Sequence, residues 1–591
     1  MAFKRLRSMI LLGLLVGVVV AVLGVKYAYT FRERRLQALF VGPCETSPMI
    51  KPTYYPRFSY DLETYRSYTE EYSPPKAEVI PLPERKPELR LKWIGQTEGV
   101  EAVTAATMSV QDRLQWRSAY KERVPSQSLW ITYPPDGAVF PPNFCEPSLE
   151  WEDGVNNLWQ VTVGVSGTSL TWSFLTDKRR WRFPPEIWRI LREKAMEGEA
   201  WIQIKGVRRT GRTRKTGGIQ ASQVVHFRIS ADPADNDVVY RLVTPQFQTI
   251  ETPDTFIRDI RSFDVKPFLR ARGKYCFSCH TFSSKEGREG MMSIKVYFMA
   301  TGGRPLSALG IFNMVSGKAQ KVEVPYPKGF TFMAWDSKGD KLAISVNQSY
   351  ASSTPIIHET QELGFSSSDI AVYEPSQGLF SLLPGADSPD YIEMYPAWTP
   401  DDKKLLFSRV RTGVSARDVR YDLYVLDYND GKGGVPVAVP GASHNGQSNY
   451  FARYSPDGRW VSFCKADQGS LIESSSDIYL LPGDLEGPPR HLECNADYAA
   501  DSWHSWSSNS RWLVFASKRD DGIYARLYLT HIDEEGHASP AVRLPVKGLV
   551  LKSFNIPEFL ADASRIEERR LFRGFRVEAP VVAAQRGEVS Q

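Results

Sequence analysis

Two cysteines, two residues between them and a histidine directly after, Cys276-Phe-Ser-Cys279-His280, are the part of this chain best suited to do chemistry. In that spacing two thiols can add to the two vinyl groups of one haem, and the adjacent imidazole is then held beneath the iron. The whole chain holds six cysteines and eight histidines, so three within so short a stretch is a marked concentration. Structural zinc is the main rival, but it usually needs four ligands, often from a second close pair. Cys44, Cys145, Cys464 and Cys494 are scattered and supply no such pair. A thioredoxin-type dithiol needs a βαβ setting, which the surrounding sequence lacks. The expected cofactor is therefore haem c, attached to Cys276 and Cys279, with His280 as proximal iron ligand.

A sixth ligand has several candidates. Met291 and Met292, in GREGMMSIKV, follow His280 closely, whereas Met314 and Met333 lie farther on. His504, in DSWHSWSSN, is the histidine alternative. Core filling is the plainer role for each methionine, and a hydrogen-bonded turn is the plainer setting for His504. Methionine ligation raises a haem's potential relative to histidine, and an open position admits gas or peroxide. No Ser/His/Asp set, phosphate loop or paired-carboxylate motif stands out. An electron carrier or binding protein is thus expected ahead of a catalyst, with a peroxidase-like haem enzyme as a third option. Cys464 and Cys494 are placed to form a disulfide in an oxidising compartment.

The N-terminus bears on compartment. Residues 9–25, MILLGLLVGVVVAVLGV, form an uncharged apolar run at the short end for a membrane-spanning helix. Lys4, Arg5 and Arg7 precede it and Lys26, Arg32, Arg34 and Arg35 follow, so flanking charge does not set orientation. No A-x-A-like cleavage site follows, which favours a retained anchor over a cleaved signal peptide. Covalent haem would place the bulk of the chain on the outer, periplasmic side of a bacterial inner membrane. The formal charge of +5 over 591 residues gives no bulk support for nucleic-acid binding.

The elements that must position the motif are strands. Forty-two glycines, forty prolines and 12% aromatic residues suit many strands and turns. Residues 1–35 read as the anchor and 36–127 as a Pro/Tyr-rich spacer. Residues 128–232 read as a β-sandwich of immunoglobulin or fibronectin type III kind, with a helix at 184–195. Residues 205–215, KGVRRTGRTRK, are a solvated hairpin tip or a contact for phosphate-bearing lipid, cell-envelope polymer or an acidic partner. Residues 233–300 are expected to be a haem attachment segment, with a helical turn or two before the cysteines. Residues 301–562 read as a propeller and 563–591 as a flexible tail.

The propeller rests on an internal repeat: AWDSKGDKLAIS (334–345), AWTPDDKKLLFS (397–408), RYSPDGRWVSFC (453–464) and SWSSNSRWLVFA (505–516) align without gaps. A further strand follows each, so every copy supplies strands that gain stability by stacking on neighbours. Extra strands at 294–324 and 541–556 would bring the blade count to five or six. These segments resemble the repeats of TolB-like β-propellers. With CFSCHTFS and the closing SFNIPEFL, the arrangement resembles a bacterial family of exported TolB-like proteins with a Cys-x-x-Cys-His segment before the propeller. The resemblance implies a haem-bearing, membrane-associated protein of the outer compartment; the partner expected for it here is a redox protein or another envelope protein. It implies no firm reaction.

Overall fold

The computed structural model describes residues 92–96, 129–208, 218–243, 254–269, 275–283, 290–299, 305–560, 581–582 and 584–585, short internal gaps aside. The expected anchor lies outside the described residues, as does the spacer except for the strand Lys92–Gln96. Among the described residues no helix is long and apolar enough to cross a membrane.

The chain is mainly β. Its larger part is a closed ring of six antiparallel sheets. Blades 2 to 6 begin with the innermost strands Tyr275–Phe282, Gly329–Trp335, Tyr391–Trp398, Ser448–Tyr454 and Asp501–Trp506, each followed outward by three more strands. Blade 1 is composite. Its outer strands Asp237–Val243, Asp254–Asp259 and Val265–Leu269 come first in sequence, and its innermost strand, Ser553–Leu560, comes from the far end. Asp237 pairs with Leu560 and Val243 with Ser553, so one blade joins both ends of the ring. Each innermost strand touches the next, and Ser553–Leu560 touches those of blades 6 and 2, closing the circle. All eight residues of this closing strand are buried.

The repeat has a local cause. Its third residue (Asp336, Thr399, Ser455 or Ser507) offers a side-chain oxygen to the main-chain N–H five residues on, at 3.0 to 3.1 Å. The fourth residue of each turn, Gly339, Asp402, Gly458 or Ser510, has φ between 61° and 74°. Glycine adopts that left-handed conformation without steric cost, and asparagine or aspartate more readily than most. Neighbouring turns are stitched together: the Ser337 N–H and hydroxyl donate to Asp402, and the Asp457 N–H donates to the Ser510 hydroxyl.

The sandwich packs a three-stranded sheet, Leu129–Tyr133, Ser148–Asp153 and Arg180–Arg182, against a seven-stranded one. The helix Pro185–Lys194 forms where expected, with proline in its first turn and Ile187, Trp188 and Leu191 turned inward. The sandwich core does not end at its own boundary. Trp512, Val514, Leu527, Leu529 and Phe559 of the propeller belong to the same buried cluster as Trp181, Trp188 and Phe227. Around that seam the Trp512 indole N–H donates to the Asp232 carbonyl at 3.0 Å, and Arg543 pairs with Glu150.

Several expectations are corrected. The segment 233–300 is not a separate unit, because its strands build blade 1 and the first half of blade 2. Among the described residues between 233 and 275 there is no helical turn; Asp254–Asp259 and Val265–Leu269 are strands paired antiparallel. Cys464 and Cys494 are both buried and unjoined. In the tail, Val581–Val582 and Ala584–Gln585 pair with the outermost strands of blades 2 and 3. The basic run is flanked by the paired strands Ala200–Val207 and Gln220–Ala221, while residues 209–217 lie outside the described residues.

Candidate functional site

Every blade breaks register near the axis, between its two innermost strands, blade 3 twice and the others once. The irregularity falls between Phe277 and His280 in blade 2, Thr331 and Met333 in blade 3, and Met394 and Ala397 in blade 4. It recurs between Tyr450 and Arg453, and between Ser502 and Ser505. Such bulges bend a strand and re-aim one side chain. The re-aimed residues are Phe332, Tyr395, Phe451, Trp503 and Ile556, with φ between 35° and 57°. Bulky side chains rarely take that conformation, and each costs on the order of 1–2 kcal/mol. The surrounding ring of blades must hold them there.

At the axis the aromatic members close on one another. Ring centroids are 4.4 Å apart for Phe332 and Tyr395, 5.1 Å for Phe451 and Trp503, and 6.0 Å for Phe332 and Trp503. Blade 2 fills the equivalent place with Cys279, and Cys279 and His280 line the same axial cavity as these rings. The sequence carried a signal for this that was missed: an aromatic or aliphatic residue three before each repeat's ring residue. FMAW, YPAW, FARY, WHSW and IPEF all show it, and CHTF is the blade 2 version.

His280 is 3% exposed and neither ring nitrogen has a hydrogen-bond partner. Burial, with the positive charges of Arg241 and Arg453 adding, pushes its pKa down to about 3; a weak contact with the Val239 main chain opposes. His504 holds the same position in blade 6 and is likewise pushed to about 3 by burial and Arg453. Its Nδ1 meets the Cys464 sulfur at 3.6 Å, while Nε2 is unpartnered. One residue deeper, Arg453 of blade 5 reaches Glu558 of blade 1 at 3.2 Å, and the Phe282 N–H also donates to Glu558. Burial raises the Glu558 carboxyl even against that guanidinium.

The other predicted residues disperse. Met292 is fully buried beside Phe268 and Ile294, and Met291 packs toward blade 3; neither lines the axial cavity. Met314 sits against the cluster that holds Met292. Met333 does line it, beside His280 and Cys279. Cys276 lies on the same strand, its main chain paired with Tyr297.

The donor set suits a haem iron, for an unpartnered buried imidazole is what an axial ligand provides. The space does not suit it. The cavity is about 20 Å³, room for one water-sized occupant, whereas cofactor pockets span roughly 300–1,000 Å³. A porphyrin beside His280 requires the aromatic ring or the blade 2 strand to give way. Among the described residues no three His, Cys, Asp or Glu side chains converge as metal ligands.

No family model and no curated protein matches the chain. Among solved structures it is similar to TolB from Acinetobacter baumannii, at 14% identity over 61% of this chain and 78% of that one, with a TM-score of 0.37. It is also similar to the periplasmic gluconolactonase of Pseudomonas aeruginosa, at 15% identity over 52% and 83% of the two chains, TM-score 0.33. The six-bladed assignment rests on sheet order and ring closure, independently of these likenesses.

Proposed function

We propose that this chain is a binding platform of the bacterial cell envelope, tethered through residues 9–25 and docking an envelope protein through its propeller. The observation that carries this reading is the continuous packing of the ring, its closing strand Ser553–Leu560 and a core shared with the sandwich. Propellers host many activities, so the fold supports a docking role without naming the partner. Two measurements test it. Fractionation of cells making the full chain should leave it in the membrane, open to protease added to spheroplasts. Truncation before Ser553 should abolish partner crosslinking that His280→Ala preserves. A chain recovered soluble in the cytoplasm, or equal loss of crosslinking in His280→Ala, would contradict the reading.

The second reading is a c-type haem protein that passes single electrons to a redox partner. One observation favours it: Cys279 and an unpartnered His280 face one cavity. Cys276 and Cys279 would carry the porphyrin and His280 would hold the iron, which supplies a reversible one-electron site. Holding the porphyrin there would require the aromatic ring or the blade 2 strand to give way. A pyridine haemochrome spectrum with intact mass on the exported chain decides it: a colourless product without porphyrin mass removes haem and electron transfer together.

A further inference from the structure

We propose that the outer rim of blade 4 binds an extended apolar strand offered by a partner protein. The rim strand is Val437–Ala438, the last of its sheet, and it pairs inward with Tyr424 and Val425. The Val439 N–H donates inward to the Leu423 carbonyl at 2.9 Å. Alternate residues of an antiparallel strand bond to alternate sides, so the Ala438 N–H and carbonyl face outward. Val435 and Val437 stand beside them at 84% and 60% exposure, the two most exposed large hydrophobic side chains among the described residues. Pro436 and Pro440 bracket the strand and keep the open edge short.

The neighbouring rims show what such an edge takes. The outermost strand of blade 2, Ala319–Glu323, accepts Val581–Val582 as an added parallel strand, and that of blade 3, Leu379–Leu382, accepts Ala584–Gln585. Each addition is two residues long, the length of the rim strand in blade 4. This belt runs from blade 2 to blade 3. Blade 4 is next round the ring and carries no added strand among the described residues. The remaining rims are guarded, for charge on an edge strand opposes strand addition. Blade 5 presents Arg490–His491, and the rim strand of blade 1 has Lys266 exposed beside Val265. That of blade 6, Val542–Arg543, lies against the sandwich strand Ala138–Phe140. Only blade 4 combines an uncharged rim with exposed valines. Main-chain hydrogen bonds supply the affinity in strand addition and side chains the selectivity, so the fitting occupant is an extended run of small and β-branched residues.

This inference deepens the platform reading and rests on it for the existence of a partner. The probe is a synthetic peptide of residues 579–586, APVVAAQR, the strand sequence this chain already uses on two rims. It carries a terminal benzophenone and is offered to the full chain in detergent. The expected result is one peptide per chain, crosslinked within residues 433–440. Ala438→Pro removes the outward N–H, and losing one hydrogen bond should weaken binding about tenfold. Val437→Lys places a charge on the rim and should weaken it at least as much. Both substitutions sit on an open edge and should leave the melting temperature near the parent's. Crosslinks confined to blades 2 and 3, or unchanged binding in both variants, overturn the proposal. So does a concentration-dependent dimer lost in Val437→Lys, which gives the rim to a second copy. Tighter peptide binding on deleting residues 586–591 overturns it too, giving the rim to that segment. Partner crosslinking in cells that survives both substitutions overturns the rim site and leaves the platform reading standing.

Discussion

Blades 2 and 6 offer a near-matched pair at the axis. Their inner strands read CHTF and WHSW, and the two histidines occupy one register position, both buried and both held neutral by burial and Arg453. A buried histidine here is therefore a feature of the strand position as much as of the haem-type motif. What separates the blades is the residue before it. Trp503 stacks into the aromatic closure of the channel, whereas Cys279 opens that wall to a sulfur atom. The histidines differ too: His504 leans on Cys464, and His280 has no such contact. The chemistry of the site thus comes from replacing one aromatic in a repeated ring, and the histidine gains its meaning from that neighbour.

The largest expected effect tests the equivalence of the two histidines. Each has a folded pKa near 3 against about 6.5 unfolded, so the unfolded chain binds more protons between those values. Their contribution is intact above pH 6.5 and is lost as pH falls toward 3, at about 1.4 kcal/mol per pH unit for each. His280→Phe and His504→Phe should each reduce the acid sensitivity of thermal unfolding equally; unequal reductions would break the pairing of the blades. Glu393 provides an internal contrast. Burial raises it to about 8, so its contribution is full below about pH 4.5 and fades as pH rises to 8; Glu393→Gln should flatten that alkaline limb only.

Next in size is the ring itself. Trp503→Ala removes a large buried side chain and should cost about 3–5 kcal/mol. Cys279→Ala at the equivalent place should cost about 1 kcal/mol, roughly one small buried group. Urea unfolding followed by tryptophan fluorescence and circular dichroism reads both, and similar costs would mean that Cys279 is packed like its aromatic counterparts. The smallest difference concerns hydrogen bonding at neutral pH. His504→Phe forfeits the Cys464 contact and should cost roughly 0.5–1 kcal/mol more than His280→Phe, which removes an unpartnered group. A larger penalty for His280→Phe would mean that its contact with the Val239 main chain outweighs the Cys464 contact of His504.

Much of the fold was legible because its causes are local. The turn oxygens of Thr399, Ser455 and Ser507 and the left-handed fourth residue act within five positions, so four blades stood out as an ungapped repeat. The helix was legible from Pro185 and the spacing of Ile187, Trp188 and Leu191. Blades 1 and 2 were hidden for opposite reasons. Blade 1 is assembled from strands some three hundred residues apart, a pairing that no local pattern announces. Blade 2 was masked by its own motif, since Cys-x-x-Cys-His drew the strand into a separate segment although CHTF fits the repeat's ring spacing. The expected Cys464–Cys494 disulfide failed because proximity in sequence says nothing about which way two buried thiols face.

By itself the sequence determined the strand-rich class, the repeated turns, the sandwich helix and the presence of a thiol–imidazole pair. Each of these follows from conformational preferences and spacings within a few residues. Only the tertiary structure decided that Ser553–Leu560 closes the ring, that Met333 rather than Met291 or Met292 shares a cavity with His280, and that this cavity is small. Those facts depend on how six sheets converge on one axis, where side chains far apart in the chain compete for the same volume.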